Sequence, residues 1–154
     1  MQIGIIVDAI ANTSSHYLLF EALNNLTARH SVFLFANNTH SLPMQNKFCI
    51  LQQIHAMHHN GVLISTSLST AQIAINCLTA KSKYYYIWYP EWVDINNLYF
   101  KQIDRIMNSP ELSIIARSQR HFNLIESLFT SPCGIVKNWD TNDMENIICQ
   151  TFLN

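Results

Sequence analysis

Apolar runs and amphipathic stretches alternate along the whole chain. The first apolar run spans residues 2–7 and ends at Asp8, and a second spans residues 31–36. Between them, apolar side chains recur at helical spacing, at Leu19, Ala22, Leu23 and Leu26. The N-cap of this predicted helix is one of three hydroxyl residues, Thr13, Ser14 or Ser15. The pattern therefore predicts a right-handed β–α–β unit at the start of the chain.

The same alternation continues to residue 154. Further strands are predicted at residues 62–65, 84–89, 112–116 and 132–136. Three further helices are predicted from inward-facing apolar side chains at helical spacing. The first has Ala71, Ala74, Ile75 and Leu78 after a cap at Ser67 or Ser69. The second has Tyr99, Ile103, Ile106 and Met107, and the third has Leu124, Ile125 and Leu128. A closing helix is predicted from the capping-box spacing of Asn142 and Glu145. Residues 48–51 fit a strand or a helix, and we expect an extended piece followed by a short helix.

This order of elements predicts an α/β fold. We expect a single Rossmann-like three-layer domain, with a mostly parallel sheet of about six to seven strands and helices on both faces. A length of 154 residues suits one domain, spanning 1–154.

Composition narrows the classes of partner. Hydrophobic residues make up 49% of the chain and charged residues 12%, which indicates a well-buried globular protein. The formal net charge of −1 excludes a general basic field for nucleic acid or anionic lipid. No apolar run approaches the ~20 residues of a membrane helix, so we expect a soluble, cytoplasmic protein without a secretory leader or a membrane partner. The widely spaced cysteines are expected to be buried thiols, at Cys49, Cys77, Cys133 and Cys149.

The scarcity of glycine limits the ways in which the chain could bind phosphate. Only three glycines are present, so the sequence contains neither a Gly-x-Gly-x-x-Gly fingerprint nor a Walker loop. Anion binding would instead use a helix N-terminus, either at residues 14–16 or at residues 117–121. At the second, Ser118 would cap the helix while Arg117, Arg120 and His121 donate hydrogen bonds to a phosphate or sugar hydroxyl. The alternative is a plain cap at Ser118, a solvated Arg120 and an inward-packed His121.

The aromatic stretch at residues 84–92 ends in Pro90, Glu91 and Trp92. Its composition predicts a buried central strand that Pro90 stops. Because ligands of open α/β sheets bind beyond the carboxyl ends of the strands, Glu91 and Trp92 lie where chemistry is expected. The alternative is that Glu91 is solvated and Trp92 covers a sheet edge.

Two other polar clusters have simpler interpretations. The hydroxyls of residues 65–70 favour polar binding or capping, because no Gly-x-Ser-x-Gly elbow accompanies them. His55, His58 and His59 have a spacing that a helix could turn into a metal site, but no Cys or carboxylate lies near them in sequence. We therefore expect a solvated helix end and no metal.

Short motifs along the chain resemble those of a known family. In order they are Ile-Gly-Ile-Ile-Val-Asp at 3–8, Ser-His-Tyr-Leu at 15–18, Gly-Val-Leu-Ile-Ser-Thr at 61–66, Tyr-Ile-Trp-Tyr-Pro-Glu-Trp at 86–92, Ile-Ala-Arg-Ser at 115–118, His121, and Gly-Ile-Val at 134–136. This order resembles the short glycosyltransferase-like proteins of large tailed bacteriophages. More distantly, it is similar to the N-terminal, acceptor-side half of two-domain GT-B glycosyltransferases. In those enzymes the chain crosses to the donor domain after a strand and an Asn/Asp-containing turn, which residues 136–140 match.

The resemblance implies the acceptor-binding half of a split GT-B glycosyltransferase, because 154 residues are too few for both domains. A nucleotide-sugar would be the donor substrate, with no cofactor, and a donor-domain protein or a second copy would be the partner. The acceptor would be a sugar or glycosylated molecule, with nucleic acid entering only as an acceptor such as phage DNA. A phage-encoded protein would act in the host cytoplasm. The alternative is a non-catalytic Rossmann-like binding or interaction module.

By analogy with that family, His16 and Glu91 would face the acceptor, and either could remove its proton. Nine further residues would bind the substrate, which are Asp8, Ser14, Ser15, Ser65, Thr66, Trp92, Arg117, Ser118 and His121. No metal is implied, because GT-B-like enzymes neutralise the leaving diphosphate with basic residues and helix dipoles. A hydrophobic seam for the absent domain is expected around Trp139 and Phe152.

Overall fold

A computed structural model describes residues 1–93 and 100–150, with the side chain of Gln150 left out. Seven strands form one parallel sheet. In chain order they are β1 (Gln2–Ile10), β2 (Ser31–Thr39), β3 (Cys49–Gln52), β4 (Val62–Ser65), β5 (Ser82–Ile87), β6 (Ser113–Ala116) and β7 (Gly134–Ile135). Their order across the sheet is β3-β2-β1-β4-β5-β6-β7, with every neighbouring pair parallel. The predicted α/β class and parallel sheet are confirmed.

Helices cover both faces of this sheet. They are α1 (Ser14–Leu26), α2 (Leu68–Asn76), α3 (Phe100–Met107), α4 (Gln119–Leu128) and α5 (Thr141–Gln150), with short 3₁₀ helices at Gln53–His58 and Glu91–Val93. One hydrophobic cluster contains the buried side chains of α1 and α5, and a second contains those of α2, α3 and α4. The domain therefore has the three layers of a Rossmann-like fold, with α1 and α5 on one face and the other three helices on the opposite face.

The sheet has one topological switch point, between β1 and β4. From β1 the chain moves outward to β2 and β3, and then returns to β4 on the other side of β1. Helix α1 follows β1 and α2 follows β4, so the N-termini of both helices flank the carboxyl ends of these two strands. Parallel α/β sheets bind their ligands in this crevice.

The first two strands are longer than their apolar runs predicted. Strand β1 continues to Ile10, so Asp8 lies within the strand and not at its end. Pairing with β2 explains the extension, because Ala9 and Ile10 lie opposite Asn38 and Thr39. Backbone hydrogen bonds between β1 and β2 therefore extend both strands beyond the ends of their apolar runs.

The aromatic strand also differs from the prediction. It ends at Ile87, two residues before the predicted end at residue 89. It lies beside the central strand β4 and is not itself the centre of the sheet. Its residues Tyr84, Tyr85 and Tyr86 are nevertheless fully buried, as the composition predicted.

Several helix predictions need correction. Helix α2 ends at Asn76, which leaves Leu78 92% exposed, and Leu128 at the end of α4 is also exposed. The closing helix is capped by Asp140, whose Oδ1 accepts hydrogen bonds from the backbone N–H groups of Asn142 and Asp143 at 3.0 Å. The predicted capping box at Asn142 is therefore wrong. The predicted helical positions include Tyr99, which lies outside the described residues.

The cysteines and the membrane prediction can be compared with the structure directly. All four thiols are free, but only Cys77 is buried, so the prediction of buried thiols is wrong for Cys49, Cys133 and Cys149. In the described part of the chain, no helix is both long enough and apolar enough to span a bilayer.

Candidate functional site

A small cavity lies in the crevice at the carboxyl ends of β1 and β4. Its volume is about 150 Å³, and its lining consists of Val7, Ser15, His16, Leu19, Thr66, Trp88 and Trp139. Three of these residues, Ser15, His16 and Thr66, were predicted from the sequence as site residues. The fold brings them together because α1 begins beside β1 and Thr66 directly follows β4.

His16 lies in the first turn of α1. Thr13 is the N-cap, and its hydroxyl accepts a hydrogen bond from the backbone N–H of His16. The same hydroxyl lies 2.8 Å from His16 Nδ1. Burial lowers the pKa of His16, while the hydrogen bond from its ring to the carbonyl of Ala9 opposes this shift. Burial therefore favours the neutral form of the imidazole.

Hydroxyl groups form the polar part of the lining. Thr66 Oγ1 donates a hydrogen bond to the carbonyl of Ile6 at 2.9 Å, which ties the end of β4 to β1. Ser15 Oγ lies 3.1 Å from Thr13 Oγ1. Ser14 is exposed and does not line the cavity. Uncharged hydroxyls beside a neutral histidine suit a ligand that itself carries hydroxyl groups.

Two tryptophans form the opposite wall. Trp88 follows β5 and Trp139 follows β7, and their rings are nearly parallel, with centroids 6.4 Å apart. Trp139 also packs on Tyr86, with centroids 4.3 Å apart. The guanidinium of Arg117 lies 4.0 Å above the Trp88 ring, so Arg117 makes a cation–π contact at this edge.

An unusual turn positions Trp139. Asn138 and Trp139 both have positive φ, at 48° and 63°. The N–H of Asp140 donates to the carbonyl of Lys137 at 2.8 Å, which closes a turn of the type I′ class. Left-handed conformations at residues other than glycine are strained and often occur at functional sites. Trp139 is only 4% exposed, so its own side chain is not part of an exposed hydrophobic seam, and Phe152, the other residue of that expectation, lies outside the described residues.

Glu91 lies on the other side of the crevice, and the cavity lining does not include it. Its carboxylate accepts the backbone N–H of Leu68, the first residue of α2, at 3.1 and 3.3 Å. The hydroxyl of Tyr85 donates to it at 3.2 Å. Burial raises the pKa of Glu91, the hydrogen bonds from Leu68 and Tyr85 oppose the shift, and the charge of Asp8 adds to it. Glu91 thus anchors the segment after β5 to the start of α2.

Asp8 belongs to the same side of the crevice. Its Oδ1 accepts a hydrogen bond from Ser69 Oγ at 2.6 Å, and Ser69 is the second residue of α2. Ser67 caps the helix and forms a capping box with Thr70. Sequence reasoning missed Ser69 and Tyr85 as partners of the two carboxylates, because hydrogen bonds between distant positions leave no local pattern.

Two predicted binding residues have contacts away from the cavity. Ser65 is fully buried and donates a hydrogen bond to the carbonyl of Tyr84 at 2.9 Å, so it joins β4 to β5. Trp92 packs edge-on against Phe129, with ring centroids 5.5 Å apart, on the opposite face of the sheet from Trp139. The alternative interpretation placed Trp92 over a sheet edge, whereas in the structure Trp92 packs against the hydrophobic cluster on the face of α2, α3 and α4.

The N-terminus of α4 combines features of both interpretations. Ser118 is its N-cap and accepts the backbone N–H of His121 at 3.3 Å. Arg120 is exposed and His121 is partly buried. Burial lowers the pKa of His121, and the charges of Arg117 and Arg120 lower it further. Of this group, Arg117 is the residue that reaches the wall of the cavity, through Trp88.

The rest of the described chain offers two further observations. A larger and more open cavity of about 800 Å³ lies at the opposite, amino edge of the sheet, beside Gln2, Ser31, Gly61 and Lys81. Within residues 1–93 and 100–150, no three His, Cys, Asp or Glu side chains are placed to hold a metal ion. His59 is instead buried, with its ring edge-on against Phe33 and Phe35, and its Nε2 lies 3.0 Å from the carbonyl of Val62.

Comparisons with protein-family models, curated proteins and solved structures gave no significant match to this chain.

Proposed function

We propose that the chain is a glycosyltransferase-like, acceptor-binding domain that takes a sugar in the cavity at the β1/β4 switch point. The observation that carries the proposal is the lining itself, in which His16, Ser15 and Thr66 face two tryptophan rings. Aromatic walls with a few convergent polar groups are typical of small-molecule sites. The motif resemblance to the acceptor half of GT-B enzymes supports the same assignment.

The size of the cavity supports an acceptor and argues against a donor. Its volume of about 150 Å³ is well below the roughly 300–1,000 Å³ of pockets for larger ligands, so a nucleotide-sugar is too large for it. The donor would bind to a partner protein or to a second copy of the chain. In the complete enzyme, which we place in the cytoplasm, neutral His16 would accept the proton of the attacking sugar hydroxyl.

A non-catalytic binding module is the second candidate, and one observation favours it. Both residues proposed to remove the acceptor proton already have hydrogen-bond partners, His16 at Thr13 and Glu91 at Leu68 and Tyr85. Such a module would bind the same class of ligand without transferring a sugar. The two candidates therefore share a binding test and differ in a transfer assay.

Thermal shift with a panel of monosaccharides, nucleotides and nucleotide-sugars tests the binding step. A ligand of the native state raises the Tm, so we expect a response to at least one sugar and none to free nucleotides. His16→Ala should abolish the sugar response, whereas His55→Ala, a change at an exposed histidine of the first 3₁₀ helix, should retain it. Silence from every sugar, or an unchanged response in His16→Ala, would contradict the proposal.

Sugar transfer separates the two candidates. The purified chain is incubated with labelled nucleotide-sugars and the responding acceptor, alone and with extract of the cell in which it is expressed. Transfer that His16→Ala removes and His55→Ala retains supports the enzyme. Sugar binding without transfer under both conditions favours the binding module.

A further inference from the structure

A second cavity adjoins the first along helix α1. Its volume is about 190 Å³, and it lies between α1 and the turn that follows β7. Trp139 lines this cavity as well as the first one, so its ring belongs to a wall that the two cavities share. Helix α1 also lines both cavities, and its residues in the second are Leu18, Glu21, Ala22 and Asn25.

The spacing of the two cavities along α1 suits two linked sugar rings. The α1 residues of the two linings are centred about five positions apart, which is roughly 7 Å along the helix axis at 1.5 Å per residue. Adjacent rings of a saccharide are joined through a single glycosidic oxygen, so a disaccharide can place one ring in each cavity. A monosaccharide in the first cavity would leave the second one empty.

Three polar side chains of the second cavity are available to a ligand. Glu21 and Asn25 project from α1, and Asn138 projects from the turn. Among the described residues, none of these three side chains makes a hydrogen bond or an ion pair with the protein, and all three are exposed. A carboxylate accepts hydrogen bonds and an amide both donates and accepts them, so together they can bind the hydroxyl groups of a sugar.

The charge of this cavity favours an uncharged ligand. The charged side chains that line it in the described chain are Glu21 and Asp140, and both are acidic. Asp140 also caps α5 through its Oδ1, which gives it a structural role. An anionic ligand would meet like charges in this cavity, which an uncharged saccharide avoids.

We propose that the second cavity is a subsite for the next sugar unit, so that the ligand of the crevice is a disaccharide or a longer saccharide. One ring lies beside His16 and Thr66, the next lies between α1 and the turn, and the Trp139 ring stands between the two. That the first unit is a sugar rests on the proposed function. The second unit is bound by Glu21, Asn25 and Asn138.

Thermal shift with glucose, galactose and mannose, and with an α-linked and a β-linked disaccharide of each, tests this subsite. We expect at least one disaccharide to raise the Tm of the wild type more than its monosaccharide does at the same concentration, equivalent to binding at least roughly tenfold tighter. The double variant Glu21→Ala/Asn25→Ala should lose this difference and keep the response to the monosaccharide. The matched control is Asn123→Ala/Glu126→Ala, which removes one exposed amide and one exposed carboxylate from α4 and should behave as the wild type.

A variant of the turn keeps the test decisive if the double variant does not fold. Asn138 has a φ of 48°, a conformation that glycine adopts at no steric cost, so Asn138→Gly removes the amide and retains the turn. It should reduce the advantage of the disaccharide over the monosaccharide. The subsite is overturned if no disaccharide exceeds its monosaccharide in the wild type, or if the difference persists in every folded variant. A monosaccharide response in those cases still supports the proposed function, whereas silence from all of these sugars would overturn both.

Discussion

The two helices that flank the switch point use their N-termini in opposite ways. At α1, a single hydroxyl from Thr13 caps the helix, and the adjacent side chains of Ser15 and His16 line a cavity. At α2, a capping box and the carboxylates of Asp8 and Glu91 occupy the same kind of position. Two topologically related sites in one fold therefore differ in charge and in openness. The open side is the one suited to a ligand.

The difference arises from the segments that fold over each helix. The turn after β7 places Trp139 beside α1, where its ring forms a wall but leaves a space. The segment after β5 places Glu91 directly on the first N–H of α2. The ring of Trp139 leaves the polar groups at the start of α1 available to a ligand, whereas the carboxylate of Glu91 bonds to the first N–H of α2.

Removal of the Trp139 ring from the wall on the α1 side should lower the stability of the protein more than any other change considered. Trp139→Ala deletes a buried ring that packs on Tyr86 and Trp88, and should lower the free energy of unfolding by about 3–5 kcal/mol. Urea denaturation measures this loss. Tyr17→Ala, at an aromatic side chain that is 47% exposed on α1, is the control and should change stability by less than about 0.5 kcal/mol. Equal losses in the two variants would show that Trp139 is not a structural part of the wall.

A pair of tyrosines compares the two sides at the level of single hydrogen bonds. Tyr85 donates to the carboxylate of Glu91, and its neighbour Tyr86 donates to the carbonyl of Val136 at 2.9 Å. Hydrogen bonds to charged groups contribute about 1.5–3 kcal/mol and neutral ones about 0.5–1.5 kcal/mol. Tyr85→Phe should therefore destabilise the protein more than Tyr86→Phe in denaturant titrations. The reverse order would mean that Glu91 is only weakly held.

The elements themselves could be predicted because their signals are local. Apolar periodicity placed the helices, and the hydroxyl residues before them included the observed caps Thr13, Ser67 and Ser118. The bounds of β4 agree with the prediction at both ends. Strand ends were less predictable, since the polar ends of β1 and β2 are held by pairing between strands. Neighbouring strands and not the side chains decide where such a ladder stops.

The candidate site could be predicted only in part, for a related physical reason. His16, Ser15 and Thr66 adjoin strand ends and helix starts, so topology alone brings them to one edge. The contacts of Glu91 with Leu68 and of Asp8 with Ser69 join positions 23 and 61 residues apart. Nothing in the local sequence distinguishes a solvated carboxylate from one that caps a distant helix. Trp139 was misjudged because its burial depends on a strained turn that packs it against β5.

The smallest expected effect is a difference in the pH dependence of stability between the two sides. The pKa of His16 is below its ordinary value of 6.5 in the folded state, mainly through burial. The unfolded chain then binds the proton more readily, so stability is lost as the pH falls below 6.5. The pKa of Glu91 is above its ordinary value of 4.5, again mainly through burial. Glu91 therefore stabilises the folded protein at acid pH, and this stabilisation is lost as the pH rises above 4.5.

Single substitutions separate these opposite slopes. The free energy of unfolding of His16→Gln should fall less than that of the wild type as the pH falls below 6.5. The free energy of unfolding of Glu91→Gln should rise relative to that of the wild type as the pH rises above 4.5. Urea denaturation across this range measures both slopes, with exposed His55→Gln as the control. His59, whose pKa is also lowered by burial, remains in every variant and so cancels in the comparison. If the free energy of unfolding depends on pH in both variants as it does in the wild type, the two sides of the crevice do not differ in how burial acts on their titratable groups. Opposite slopes would show that the α1 side favours a neutral base, while the α2 side retains its carboxylate at a cost in stability near neutral pH.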